Sequence, residues 1–119
     1  MNVDKNRQGL EKIYKHVVAV LQYCRDCDSL ETFQADPMRA EACVFNLMQI
    51  GELAKHALEE ECKAMLPTIP WKQLYGMRNR IVHEYAGVEL RIVWDTIHQD
   101  LPVLRSALET ALQQLPPAR

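Results

Sequence analysis

The sequence predicts an all-α fold, an antiparallel bundle of about four helices that forms one domain over residues 1–119. Apolar residues recur at helical spacing in four consecutive segments of the chain. No segment shows the alternation of apolar and polar residues that is typical of a half-buried strand. The chain also shows no internal repeat and no tract of low complexity, so a helical bundle is the architecture that the pattern favours.

The first two helices are predicted over residues 4–28 and from Asp36 to just before Pro67. Aspartate is a good N-cap and proline is tolerated at the first helical position, so Asp36-Pro37 indicates a helix start. Gly51 lies inside the second helix, where it costs about 1 kcal/mol unless another helix packs closely against it. The predicted apolar stripe of the first helix is Leu10, Ile13, Tyr14, Val17, Val18, Leu21 and Cys24. The predicted buried line of the second is Ala40, Val44, Leu47, Gly51, Ala54 and Leu58.

The third helix is predicted to have Pro70 at its first position, with Thr68 or Ile69 as its cap. Its seam positions repeat at intervals of three and four residues, as in a coiled coil. One of them is Arg78, whose charge would be costly there unless it is paired or faces a cavity. The seam consists of Trp71, Leu74, Arg78, Ile81 and Tyr85.

The fourth helix is predicted to follow Gly87 and to end at Pro116 and Pro117. Pro102 should kink it, because proline cannot donate a hydrogen bond to the carbonyl of His98. The histidine itself falls on the polar side and is expected to be solvated. The apolar repeat of this helix is Leu90, Trp94, Ile97, Leu101, Leu104, Leu108, Ala111 and Leu115.

Composition and charge narrow the class of protein further. The chain is 48% hydrophobic and 25% charged, which excludes disordered and collagen-like proteins. The aliphatic run at 17–21 is too short to cross a membrane, and residues 1–8 lack the apolar stretch of a signal peptide, so a cytoplasmic protein without a membrane partner is expected. A net charge of −2 argues against a protein that coats DNA or RNA. The concentrated basic stretch is 67–85, with three basic residues against one acidic residue.

Residues 77–85 are the most informative segment, because they combine Arg78 with His83, a side chain suited to proton transfer near neutral pH. On a continuous helix five residues turn through about 500°, which leaves the two side chains about 140° apart and about 7.5 Å apart along the axis. They can converge only if the helix ends or bends near His83, or if a second copy of the chain brings its own motif alongside. A simpler alternative pairs Arg78 with an acid of the second helix and makes His83 a cap of its own helix.

The pattern Arg78-x4-His83-x-Tyr85, with Asn79 directly after the arginine, resembles the signature of the HepT-like HEPN proteins. These are toxin components of bacterial and archaeal toxin–antitoxin pairs. Ala86 departs from the pattern, since the family often has an aromatic residue there. The resemblance extends over nearly the whole chain, through residues 46–54, 69–71, 85–88, 93–97 and 100–102.

The resemblance implies a metal-independent endoribonuclease that needs no cofactor and acts as a homodimer, with two such motifs facing each other across the two-fold axis. RNA supplies its own nucleophile, the 2′-hydroxyl, so the protein must supply proton transfer and charge stabilisation. His83 would exchange protons with the reacting oxygens and Arg78 would hold the phosphate oxygens. Asn79 would orient the site or bind the phosphate, and Arg80 would contact a flanking phosphate or simply be solvated.

The resemblance also implies a protein partner, a nucleotidyltransferase antitoxin that transfers AMP to Tyr85. The added bulk and negative charge would occupy the phosphate site and repel RNA. The seam position of Tyr85 predicts instead that the side chain packs in the core.

Two alternatives remain open at this point. The chain could be a helical subunit that docks the nucleotidyltransferase and has no nuclease activity. It could also be a zinc-stabilised interaction protein, because Cys24-x2-Cys27 has a metal-ligand spacing, although both cysteines fall in a predicted helix rather than on a turn, which favours free thiols and no metal. The further candidate ligands are Cys43, Cys62, His16 and His56.

Overall fold

A computed structural model describes residues 1–116 of the chain, apart from the side chain of residue 86, and the predicted stop at Pro117 falls outside this range. Every regular element in the described range is helical, which confirms the all-α prediction. A 3₁₀ turn follows α5 and a π turn joins α6 to α7, at Tyr85–Gly87 and Thr96–Asp100. The helices are α1 (Val3–Tyr23), α2 (Leu30–Gln34), α3 (Pro37–His56), α4 (Glu60–Ala64), α5 (Trp71–Glu84), α6 (Leu90–Asp95) and α7 (Leu101–Gln114).

The long helices form the predicted bundle, in which α1 packs against α3 and α7, and α3 packs against α5. Gly9 near the start of α1 lies against Ala57 at the end of α3, whereas Cys24 at the end of α1 meets Cys43 near the start of α3. The two helices are therefore antiparallel. The core is built from the predicted apolar lines: every member of the α3 line is buried, whereas Tyr14, Val18 and Leu21 of the α1 stripe are only partly buried.

The start of α3 agrees with the sequence prediction, since the Asp36 side chain accepts from the backbone N–H of Arg39 at 3.2 Å and Pro37 is the first helical residue. The predicted end of the first helix was wrong, because α1 stops at Tyr23 and the chain turns there. Two short helices were not predicted. Ser29 caps α2, and the predicted second helix divides into α3 and α4.

The proline positions also differ in detail from the prediction. Pro70 is the N-cap of α5, one position before the first helical residue. Before Pro102 the chain forms a π turn instead of continuous α-helix, and the N–H of Leu101 donates to the carbonyl of Thr96, five residues earlier.

Polar contacts tie the helix ends together. Glu59 accepts from the backbone N–H of Asn2 and from the amide of the fully buried Asn6, which joins the N-terminus of α1 to the start of α4. The guanidinium of Arg7 donates to the carbonyl of Leu112 at 3.0 Å, closing the C-terminus of α7. Among the described helices, none combines the length and apolar character required to span a membrane.

Candidate active site

Residues 77–84 of the informative segment lie on α5, and contacts near both ends of this helix hold it against the bundle. The indole N–H of Trp71 donates to the carbonyls of Lys63 and Leu66, fixing the start of the helix, and Ile81 is fully buried against the bundle. The backbone leaves helical geometry at Glu84, where φ is −124° and ψ is 25°. Arg78 and His83 therefore lie on one continuous helix.

Arg78 is positioned by a close approach of α5 to α3 at Gly51. A Cβ atom at residue 51 would overlap the Cβ of Arg78 and lie 2.7 Å from the carbonyl oxygen of Leu74. This explains the glycine inside a buried helical line, as the sequence predicted. It also puts the base of the Arg78 side chain directly against α3.

The Arg78 guanidinium is held on two sides. Its Nε donates to the carboxylate of Glu52 on α3, and its Nη1 donates to Oδ1 of Asn79 at 2.9 Å. The Arg78 side chain is 23% exposed, so part of the guanidinium faces solvent. The pairing with an acid of the second helix, one of the two sequence-based alternatives, is confirmed. The sequence did not identify which acid it would be.

Glu52 extends this network to His56, one turn further along α3. Its Oε2 lies 3.7 Å from Nε2 of His56, while Oε1 binds Arg78. Glu52 was missed from the sequence, although a signal existed: a charge at a seam position requires an acid nearby, and Glu52 follows directly after the glycine that permits close helix packing.

His83 is exposed in the last turn of α5 and its side chain makes no hydrogen bond within residues 1–116, so the proposed helix cap is not observed. Because the helix continues from Arg78 past His83, the two side chains point about 140° apart around the helix axis. A single chain therefore does not bring them onto one face. Arg80 is exposed on the same helix.

Tyr85 does not pack in the core, contrary to its seam position. Its side chain is 62% exposed, because α5 ends at Glu84 and the chain passes into the 3₁₀ turn. The tyrosine borders a groove of about 340 Å³ between α3 and the start of α6. Most of the groove lining is apolar: Pro37, Ala40, Val44, Val88 and Leu90, with Gln34 and Glu41 as its polar members.

The cysteines do not form the arrangement on which the zinc alternative rested. All four are buried and free, and Cys24 lies next to Cys43 rather than Cys27, with the two sulfurs 3.6 Å apart. The two histidines considered as ligands are engaged elsewhere, His16 with Asn46 at 2.7 Å and His56 with Glu52. Within the described part of the chain, no group of three potential ligands could hold a metal ion. His98 is exposed, as expected, and stacks on Trp94 with ring centroids 3.9 Å apart.

Comparison with known proteins gives a consistent result. The family model described as "Ribonuclease HepT-like" matches residues 13–111. "Putative RNase TTE0752" of Caldanaerobacter subterraneus subsp. tengcongensis is 40% identical over 86 residues, covering 72% of this chain and 76% of that protein. "Probable ribonuclease HepT" of Thermococcus cleftensis is 31% identical over 104 residues, covering 87% and 93%. No solved structure matches the chain significantly.

Proposed function

Because this chain belongs to the Ribonuclease HepT-like family, it is a ribonuclease, and we propose that Arg78 and His83 cleave RNA where two copies of the chain meet. The observation that carries the proposal is the fixed and partly exposed guanidinium of Arg78, on the same helix as the exposed His83. The reaction belongs to the toxin half of a toxin–antitoxin pair and takes place in the cytoplasm without a metal.

The hydrogen bonds of Arg78 leave the right donors free for a phosphate. A guanidinium has five N–H donors, of which Glu52 engages Nε and Asn79 engages one at Nη1. Three donors remain, one at Nη1 and two at Nη2, and they can bind non-bridging phosphate oxygens. Since Glu52 fixes the side chain in advance, little rotamer entropy is lost when RNA binds. Asn79 is thus a positioning residue for Arg78.

Glu52 lowers the net positive charge around Arg78. The positive stretch at 67–85 was counted along the chain, but Glu52 joins it in space and neutralises Arg78. Attraction of RNA by this face is therefore weaker than the sequence count predicted. Recognition depends on direct contacts, to which the exposed Arg80 contributes a flanking phosphate contact.

The geometry of α5 supports a site shared by two copies of the chain. A two-fold axis beside α5 would bring the His83 side chains of both copies to a scissile phosphate held by Arg78, which one continuous helix does not achieve by itself. One imidazole takes the proton of the 2′-hydroxyl as its oxygen attacks phosphorus. The other gives a proton to the departing 5′-oxygen, so the products are a 2′,3′-cyclic phosphate and a free 5′-hydroxyl.

Tyr85 is the residue on which the activity is controlled in this proposal. Its exposure leaves the phenol oxygen open to a nucleotidyltransferase antitoxin. The oxygen attacks the α-phosphorus of ATP, the phenol loses its proton, and pyrophosphate leaves. The resulting phosphodiester brings a negative charge two residues from His83, where it competes with RNA for the phosphate-binding donors of Arg78.

The first test measures RNA cleavage in a buffer containing EDTA. Arg78→Ala and His83→Ala should each lower the rate by about 100-fold or more while the thermal unfolding midpoint stays near that of the unmodified chain. His98→Ala is the matched control, since it removes an exposed histidine from the π turn between α6 and α7. Cleavage that survives both active-site substitutions would refute the assignment.

A mixing experiment tests whether the two copies share one site. Unmodified chain and His83→Ala are mixed in equal amounts and allowed to exchange subunits, after which about one quarter of the dimers contain two unmodified chains. The cleavage rate should then be about a quarter of that of the unmodified protein at the same total concentration. Two independent sites would leave about half. Sedimentation that finds only monomers under the assay conditions would also contradict the shared site.

Tyr85→Phe tests the control step. The variant should cleave RNA normally, gain no AMP on co-expression with the antitoxin and escape neutralisation, as measured by intact-protein mass spectrometry and growth. If no form of the chain cleaves RNA or arrests growth, yet it forms a stable complex with the nucleotidyltransferase, the docking alternative is correct.

A further inference from the structure

Two buried cysteines meet near the start of α3, at the opposite end of that helix from Glu52. Cys24 follows the last residue of α1, Cys43 lies in the second turn of α3, and their sulfurs are 3.6 Å apart. Neither α1 nor α3 must move far for the sulfurs to reach bonding distance, because Cys24 lies in a turn rather than inside a helix. We propose that Cys24 and Cys43 form a reversible intramolecular disulfide when the protein meets a peroxide.

The surroundings of Cys24 favour reaction at that sulfur first. The hydrogen bond with the Cys43 thiol lowers the pKa of Cys24, against the opposing effect of burial, and the positive charge of Arg39 lowers it further. The same hydrogen bond, together with burial, raises the pKa of Cys43. The thiolate is the nucleophilic form of cysteine, so Cys24 is the attacking sulfur and Cys43 the resolving one.

A small oxidant has a route to Cys24. A cleft of about 390 Å³ lies between the end of α1 and the α6–α7 helix, and its lining includes Cys24 and Cys27 but not Cys43. Trp94 and His98 form part of its other wall. The cleft thus brings a peroxide beside Cys24, whereas the fully buried Cys43 does not line it and has its sulfur next to that of Cys24.

The reaction balances with one peroxide for each disulfide. The Cys24 sulfur attacks one peroxide oxygen, an S–O bond forms, the O–O bond breaks, and the sulfenic acid of Cys24 results with one water. The Cys43 sulfur then attacks the Cys24 sulfur, forming the S–S bond and releasing the hydroxyl as a second water. Two thiols are oxidised by two electrons and lose two protons, and hydrogen peroxide is reduced to two waters.

Cys27 and Cys62 provide internal comparisons. Cys27 borders the same cleft, but its sulfur lies 3.9 Å from the carbonyl oxygen of Ser29, and the only sulfur pair within hydrogen-bonding range in the described residues is that of Cys24 and Cys43. Cys62 is buried elsewhere, and burial and the charge of Glu59 raise its pKa. Both should stay reduced at a peroxide dose that converts the pair.

The full chain can be tested without any substitution, because trypsin places each cysteine on its own peptide. The four peptides are residues 16–25, 26–39, 40–55 and 56–63, which contain Cys24, Cys27, Cys43 and Cys62 in that order. Reduced protein is treated with a few equivalents of hydrogen peroxide, alkylated in denaturant, digested without reductant and analysed by mass spectrometry. Peptides 16–25 and 40–55 should appear linked, and dithiothreitol should separate them. A 16–25 to 26–39 link, oxidation spread evenly over four thiols, or no link would overturn the proposal.

Two substitutions sharpen the result. Arg39→Gln should slow formation of the link by about twofold, since a charge that favours the thiolate is lost, whereas Arg91→Gln on the exposed surface of α6 should not change the rate. Cys43→Ala should leave Cys24 as a sulfenic acid that dimedone traps. The disulfide is mapped by mass spectrometry in the unmodified chain, so the proposal can still be tested if the Cys43→Ala variant folds poorly. Equal rates for both arginine variants would contradict the role given to Arg39.

Discussion

Gly51→Ala tests whether the close approach of α3 and α5 holds Arg78 in place. The added methyl group would overlap the Cβ of Arg78 and lie 2.7 Å from the backbone oxygen of Leu74. Neither atom is the far end of a flexible side chain, so the helices themselves must separate. We expect Arg78 to move away from Glu52 as they do.

The size of the effect follows from two opposing contributions. Forcing extra volume into a packed contact costs about 1–3 kcal/mol, whereas alanine stabilises a helix interior by about 1 kcal/mol relative to glycine. The net loss should therefore be about 0–2 kcal/mol at Gly51, which lowers the unfolding midpoint by up to about 10 °C for a domain of this size. RNA cleavage should fall further than the lost stability explains, because the variant is still folded at the assay temperature.

Gly76→Ala is the matched control, since a Cβ at residue 76 of α5 would have no atom within 4 Å. That variant should be as stable as the unmodified chain or up to about 1 kcal/mol more stable. Thermal and urea unfolding, run beside the cleavage assay, give both readouts. A Gly51→Ala protein that equals the control in stability and cleaves RNA at the normal rate would refute the contact and its role.

Three further predictions concern the contacts that join the helix ends. The hydrogen bonds from the backbone at Asn2 and from the Asn6 side chain lower the pKa of Glu59. The stability that they give is therefore present above the ordinary pKa of 4.5 and is lost as the pH falls through the lowered pKa. Glu59→Gln should reduce this loss of stability at acid pH, as measured by thermal melts. Burial alone would lower the pKa of Lys63, but hydrogen bonds with the Tyr75 hydroxyl and the Glu60 carboxylate raise it. Stability should therefore fall as the pH rises above 10.5. Lys63→Met should cost about 1–3 kcal/mol in urea unfolding. Arg7→Ala should cost about 1 kcal/mol and speed amide hydrogen exchange in the last turn of α7, where the guanidinium meets the carbonyls; unchanged exchange there would contradict this role.

The fold was predictable where a local signal coincided with burial. Asp36-Pro37 marked the start of α3 because capping is a local property, and Gly51 indicated a close helix contact because its cost in a helix needs a structural reason. The short helix α2 carries too few residues for a periodic pattern, and the end of α1 depends on how the chain turns toward α3. Those features are decided by tertiary packing, so periodicity could not reveal them.

The candidate site was predictable in part for the same reason. A charge at the seam position of Arg78 required an acid, and the acid is present, but its identity depends on which residues face each other across the bundle. Tyr85 followed the seam spacing and yet is exposed, because the helix ends one residue earlier. The pairing of Cys24 with Cys43 joins residues that are distant in sequence, whereas the local Cys24-x2-Cys27 spacing drew attention to the wrong partner.

The π turn at Thr96–Asp100 marks a place where the length of this chain can change without repacking the core. Before the turn, Trp94 packs against Phe33 of α2, with ring centroids 5.4 Å apart; after it, Leu104 and Leu108 are buried in the core. Deleting one residue from the turn would let an ordinary α-helix run through, because the hydrogen bond that now spans five residues would span four. The residues downstream would then face nearly the same way as before, and the leucines would stay in the core. An alignment gap of one residue at this point in a relative therefore indicates an uninterrupted C-terminal helix rather than a repacked one.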